Sequence, residues 1–164
     1  MQYQLIRLTA EWVSAYRDIR LESLKDRPQS FASSYERESA WPVKTYASRL
    51  TNSYTMGVVV DGALAAIATL IPSEHAVMPH KATIVAVYVR PAYRGNGYAR
   101  MLMEALIAEA AQHYEQIIIS VEAENTPAIH VYKSLGFEQY GFEPRAAKIG
   151  DTYYDDLWMV KFLK

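Results

Sequence analysis

Two periods of hydrophobic and polar positions run along the chain. Residues 3–8 and 55–60 are strand-like, and so is the apolar run 63–71. Asp61-Gly62, between the last two, is a strong two-residue hairpin signal. Residues 10–25 have helical spacing, with Trp12, Tyr16, Ile19 and Ser23 near one face, and Arg27-Pro28 ends that helix. The stretch 30–41 fits neither period. Pro42 suits the first residue of a short helix reaching Leu50. Residues 72–80 form a loop, and the β-branched run 82–89 ends at Arg90-Pro91. A helix over 97–113, a strand over 115–122 and a helix over 126–135 follow, the last closed by Gly136 as a left-handed cap. Residues 138–147 and 152–163 form a closing antiparallel pair across Gly150-Asp151.

The predicted order is β-α-α-β-β-β-α-β-α-β-β. One helix lies between strands 82–89 and 115–122, so those two pair in parallel through a right-handed crossover. The expected fold class is α/β (α+β): a mixed, mostly antiparallel twisted sheet of about seven strands, with a central parallel pair and about four helices. No repeat, low-complexity tract or linker divides the chain, so residues 1–164 are expected to form one domain.

Composition narrows the choice of chemistry. Hydrophobic residues make up 51% and charged residues 21%, as in a packed globular chain. A net charge of −1 gives no basic field for nucleic acid or an anionic membrane. With no cysteine, disulfides, thiolate zinc sites and cysteine nucleophiles are excluded. The four histidines, His75, His80, His113 and His130, have no metal-ligand spacing, and no metal is expected. The N-terminus does not read as a signal peptide, and the apolar runs are too short to span a bilayer, so a cytoplasmic location is expected. Thirteen tyrosines suit a pocket with flat walls and polar tips, or simple packing.

The turn after Val89 carries the main chemical signal. Tyr93-Arg94-Gly95-Asn96-Gly97 joins a buried strand to a helix start. Glycines permit positive φ and close backbone approach, and free N–H groups at a helix start attract an anion. Arg94 adds a positive charge. A phosphate-loop string is absent, and the dinucleotide pattern Gly-x-Gly-x-x-Gly fails at its third place, Arg100. Taken alone, the turn is a phosphate or pyrophosphate cradle, or a tight turn that contains two glycines.

Arg94-x-x-Gly97-x-Ala99 resembles the Arg/Gln-x-x-Gly-x-Gly/Ala signature of the GNAT (GCN5-related) N-acetyltransferases, and so does the surrounding Val87-to-Gly97 run. A second block, Asn125-Thr126-Pro127-Ala128-Ile129-His130-Val131-Tyr132-Lys133-Ser134-Leu135-Gly136-Phe137, also resembles that family, at the right distance. The order of elements matches the family's fold over nearly the whole chain.

The resemblance implies a GNAT fold, acetyl-CoA as co-substrate and acetyl transfer to a primary amine of a small molecule or peptide. It implies that backbone groups of Arg94, Gly95, Asn96, Gly97, Tyr98 and Ala99 hold the pyrophosphate, with Arg100 beside them. Val87 and Val89 would lend backbone groups to the pantetheine arm, and the Val87 N–H would polarise the thioester carbonyl. Asn125 and Ala128 would contact the cofactor; Asn125 also reads as a helix N-cap. Tyr132 resembles the family's general acid, protonating the departing thiolate, although a tyrosine on an apolar helix face otherwise reads as packing.

Two carboxylates known from other family members are missing, since Thr83 and Ser120 stand at their places. Glu122 reads as a solvated carboxylate, and the general base is unassigned. The acceptor is expected between the first two helices and the last strands, near Phe31, Tyr35, Glu36, Tyr88 and Tyr154, with Trp41, Tyr153 and Asp155 nearby. An aromatic, acidic pocket of that kind suits an amine. A monomer or a homodimer is compatible with the chain. Two rivals remain: a nucleotide-binding domain of another class, and a non-catalytic acyl-CoA-binding sensor or partner module.

Overall fold

The structure, a computed structural model, describes residues 2–164. In chain order it contains β1 (Tyr3–Arg7), α1 (Val13–Asp26), α2 (Tyr35–Ser39), α3 (Val43–Asn52), β2 (Tyr54–Val60), β3 (Ala63–Pro72), β4 (Lys81–Val89), α4 (Tyr98–Ala111), β5 (Gln116–Glu122), α5 (Thr126–Ser134), β6 (Glu138–Ile149) and β7 (Thr152–Phe162). The seven strands form one sheet in the order β1-β2-β3-β4-β5-β7-β6. Every pairing is antiparallel except β4 with β5. This is the mixed sheet with one central parallel pair that the crossover required.

The hairpin at Asp61-Gly62 forms with both residues at positive φ, 49° and 86°. Pro42 precedes α3 as its N-cap instead of occupying the first turn. Residues 10–12 form a 3-10 turn ahead of α1. Within the ambiguous stretch, Ser34 caps the single turn of α2 by accepting from the Arg37 N–H at 3.1 Å. So short a helix offers no stretch over which a period can be recognised.

Strand alternation places two cores on opposite faces of the sheet. Val58, Val60, Ala66, Ala68 and Leu70 face α4, meeting Leu102, Met103 and Leu106. Val59, Leu64 and Ile67 face the other way, onto Tyr16, Ile19, Tyr46 and Leu50 of α1 and α3. Successive strand side chains point to opposite faces, so both surfaces of these central strands are covered.

The parallel pair is short. β4 and β5 are in register only over Lys81–Thr83 and Gln116–Ile118. Beyond that the strands separate, while β5 stays paired with β7 as far as Glu122 opposite Asp156. β4 also bulges. Thr69 faces Val85 and Ile67 faces Tyr88, so Ala86 and Val87 together stand against the single residue Ala68 on β3. Ala86 takes φ 58°, an uncommon value for a residue with a side chain. Bulge and separation together open the sheet at its centre.

Candidate active site

A cavity of about 770 Å³ occupies this opening. Its floor is the separated halves of β4 and β5; α5 and the turn before α4 bound one side, and α1 with the segment after it bounds the other.

The glycine turn is built as the sequence indicated. Gly95 and Gly97 have φ 82° and 79°, and a Cβ added at either would meet nothing within 4 Å. The space above the turn is therefore open. No side chain caps the first turn of α4, so its leading N–H groups lack partners of that kind. A helix start in this state attracts an anion. Asn96 does not line the cavity; its side-chain amide donates to the Tyr93 carbonyl at 2.9 Å and secures the turn from behind.

The arginines of the turn are already engaged. Arg94 Nη2 donates to Asp26 at 2.8 Å, and its Nε donates to the Val89 carbonyl at 2.9 Å. Its charge is therefore shared with the end of α1. One helical turn back, Glu22 pairs with Arg90 at 3.3 Å. The Arg94 hydrogen bond, ahead of opposing burial and a further bond from Tyr88, holds the Asp26 carboxyl below the usual range. Arg100 donates to Ser134 at 2.6 Å and pairs with Glu104 at 2.9 Å, which ties α4 to the end of α5.

Asn125 is the helix N-cap that was expected. It lines the cavity and its side-chain oxygen accepts from the Ala128 N–H at 3.3 Å. Tyr132 also lines the cavity and is 5% exposed. Burial alone pushes its phenol pKa well above the ordinary value, so the hydroxyl keeps its proton at neutral pH. Val87, Val89, Tyr98, Ala99 and Ala128 line the same space.

On the opposite side the expectations divide. Phe31 and Tyr88 line the cavity, whereas Tyr35, Glu36 and Tyr154 do not. α2 turns Glu38 inward and leaves Glu36 exposed, and Tyr35 packs under the Lys25 ammonium at 4.2 Å. Tyr154 lies beyond the end of β5, opposite Ala147 in the β6–β7 hairpin. Trp41 packs against Tyr46, and Asp155 accepts from the Arg145 N–H at 2.7 Å. Tyr88 is 4% exposed and donates to Asp26 at 3.0 Å; burial first, then that bond, raises its pKa.

Sequence reasoning missed a carboxylate pair and a group of arginines. Glu122, read as solvated, lines the cavity with Asp156, its neighbour across β5 and β7. Gln29 donates to Glu122 at 3.3 Å. Burial, then the nearby charges of Glu143, Glu122 and Asp155, raises the Asp156 pKa. Arg20, Arg27 and Arg49 line the helical side. Arg20 grips Glu38 through two bonds of 2.9 Å, and Arg49 adds a contact of 3.3 Å. Burial works against the Glu38 charge, but Arg20 and the remaining partners outweigh it, and the pKa falls. The even spacing of Ser120 and Glu122 on β5 was the available signal, since alternate strand residues share a face.

The sequence model described as the Acetyltransferase (GNAT) family matches residues 13–137. The chain belongs to this family. It is 31% identical over 113 residues to an uncharacterized protein of Mycobacterium leprae, covering 68% of this chain and 31% of that protein. It is 33% identical over 101 residues to the [ribosomal protein bS18]-alanine N-acetyltransferase of Escherichia coli K12, covering 60% of this chain and 65% of the relative. Against the L-amino acid N-acyltransferase of the same strain, identity is 36% over 53 residues, or 32% of this chain and 31% of the relative. The matched regions thus span from about a third to just under two thirds of these relatives.

Solved structures agree on the fold. A GNAT-family acetyltransferase from Streptococcus pneumoniae superposes with TM-score 0.84 at 18% identity, covering 99% of this chain and 100% of that one. A Salmonella typhimurium structure solved with its cofactor acetyl-CoA gives 0.83 at 18% identity, covering 99% and 94%. Among the described residues, no helix is long and apolar enough to cross a membrane.

Proposed function

We propose that this chain transfers an acetyl group from acetyl-CoA to a primary amine of a small molecule or peptide, by direct attack while both substrates are bound. The observation that carries this reading is one continuous cavity that joins the glycine turn, the buried Tyr132 and the Glu122–Asp156 carboxylates. The acetyl-CoA-bound Salmonella typhimurium fold and the N-acetyltransferase named among the relatives support it.

Acetyl-CoA supplies an acyl group activated as a thioester. Open space above Gly95 and Gly97, with the uncapped start of α4, fits its pyrophosphate. Val87 lines the cavity at the bulge, and its backbone N–H is the group that polarises the carbonyl. An alkylamine is charged at neutral pH and must lose a proton before it attacks. Glu122 and Asp156 are the carboxylates in the cavity that accept it. Tyr132, held protonated by its burial, gives its proton to the leaving thiolate. Asn125 holds the start of α5 and thereby places Tyr132, two helical turns on.

The test is amine-dependent release of CoA thiol, with the acetylated product identified by mass spectrometry across polyamines, amino acids, amino sugars and peptides. Acetylated amine is the expected product. Tight CoA binding without transfer to any amine would favour the non-catalytic sensor. Stabilisation by NAD or ATP but not CoA would overturn the donor assignment.

A further inference from the structure

The helical end of the cavity carries more positive charge than its internal partners neutralise. Arg20 and Arg49 share one carboxylate, Glu38. Arg27, just past the end of α1 and two helical turns on from Arg20, also lines the cavity and has no ion-pair partner among the described residues. Arg20 is 5% exposed. Its Nε and Nη2 are taken by Glu38, while its Nη1 is buried with no hydrogen-bond partner. A buried guanidinium N–H left unsatisfied is costly, so a partner supplied from the cavity would be stabilising. The Phe31 ring lies 5.0 Å from the Arg20 guanidinium carbon, against its face, and helps fix its plane. The opposite sign lines the same cavity in Glu122 and Asp156, and Gln29, from the segment after α1, donates to Glu122 at 3.3 Å.

On the acetyl-transfer reading, we propose that the acceptor carries a carboxylate beside its amine, and that Arg20, with Arg49 and Arg27, receives that carboxylate. The acceptor class is thus an amino acid. Its ammonium faces Glu122 and Asp156, and its carboxylate faces the arginines. An arginine fork suits a carboxylate geometrically as well as electrostatically. The same charges select against other amines. A polyamine would bring a second cation toward three arginines, and a peptide N-terminus presents an amide where the carboxylate belongs.

The experiment compares three acceptors for each side chain: the L-amino acid, its carboxamide and its decarboxylated amine. The wild-type protein is used, with acetyl-CoA. For at least one side chain, the amino acid is expected to exceed both analogues by about tenfold or more in kcat/KM, the worth of a charge-assisted hydrogen bond. The carboxamide's amine is the more easily deprotonated, so intrinsic reactivity works against this result. Preference for the carboxamide or the plain amine throughout the panel overturns the proposal, the first pointing to peptide N-termini.

Thermal shifts with the same compounds, in the presence of CoA, separate this inference from acetyl transfer itself. Stabilisation by amino acids but not by their amides, without turnover, upholds the carboxylate site and removes the transferase reading. Neither stabilisation nor turnover removes both. Arg49→Gln, at a side chain 41% exposed, is expected to raise the amino acid KM about fivefold, by loss of one charged contact. An unchanged KM counts against the site.

Discussion

The two sides of the cavity are made differently. On the side of the glycine turn, residues 86–100 and 125–132 supply backbone geometry: a bulge at Ala86, positive φ at Gly95 and Gly97, and an uncapped helix start. On the other side, side chains converge from α1, the segment after it, α3, β5 and β7, and they carry charges of both signs. The first side is built from contiguous segments and suits one fixed partner shape. The second is assembled at long range, so single substitutions can change its sign. On the proposed acetyl-transfer reading, a common donor with a variable acceptor is the chemical counterpart of that contrast.

The comparison is most sharply broken at Glu38. Replacing it by alanine leaves Arg20 buried without its counter-ion, at a cost of about 3–5 kcal/mol. Chemical denaturation should show the loss. The pKa of Glu38 is depressed, so its contribution is present above the ordinary carboxylate range. That contribution is lost as pH falls through the depressed value, and wild type and variant should converge in acid.

On the turn side, Tyr132→Phe keeps the packing and removes the proposed proton donor. Turnover should fall on the order of 10²-fold, while acetyl-CoA affinity by calorimetry stays close to wild type. Unchanged turnover would remove Tyr132 from the chemistry.

Asp156→Asn probes the other side with a smaller expected loss, about tenfold in turnover, because Glu122 remains. The raised Asp156 pKa means that the fold disfavours its charged form. The variant should therefore be slightly more heat-stable at neutral pH even as activity falls. In the wild type, turnover should decline as pH drops through a value above the ordinary carboxylate range, where Asp156 takes up its proton. The smallest change expected is Asp26→Asn. It weakens the Arg94 and Tyr88 contacts and should raise the acetyl-CoA KM about threefold, as loss of a partly exposed ion pair does.

The glycine turn and the α5 block could be read from the chain because local rules wrote them. Positive φ selects glycine, a helix start selects a cap such as Asn125, and both needs appear within a few residues. The element order was legible for the same reason, since each long element carries its own period. α2 was not, being a single turn whose inward residue, Glu38, is charged and has its partners 18 and 11 residues away. Tyr35, Glu36 and Tyr154 were expected at the acceptor side because their types suit an amine, but residue type does not state direction. The Glu122–Asp156 pair depends on a register between β5 and β7 that no local pattern encodes.

The sequence by itself determined the family, the strand and helix order, and a turn shaped for an anion, because these depend on backbone preferences and short-range spacing. Only the tertiary structure decided that Arg94 is engaged by Asp26, that Glu122 and Asp156 stand together, and that Arg20 keeps one buried nitrogen without a partner. Charge pairing and burial are properties of groups brought together across long stretches of chain, and they exist only once the sheet has closed over its two cores.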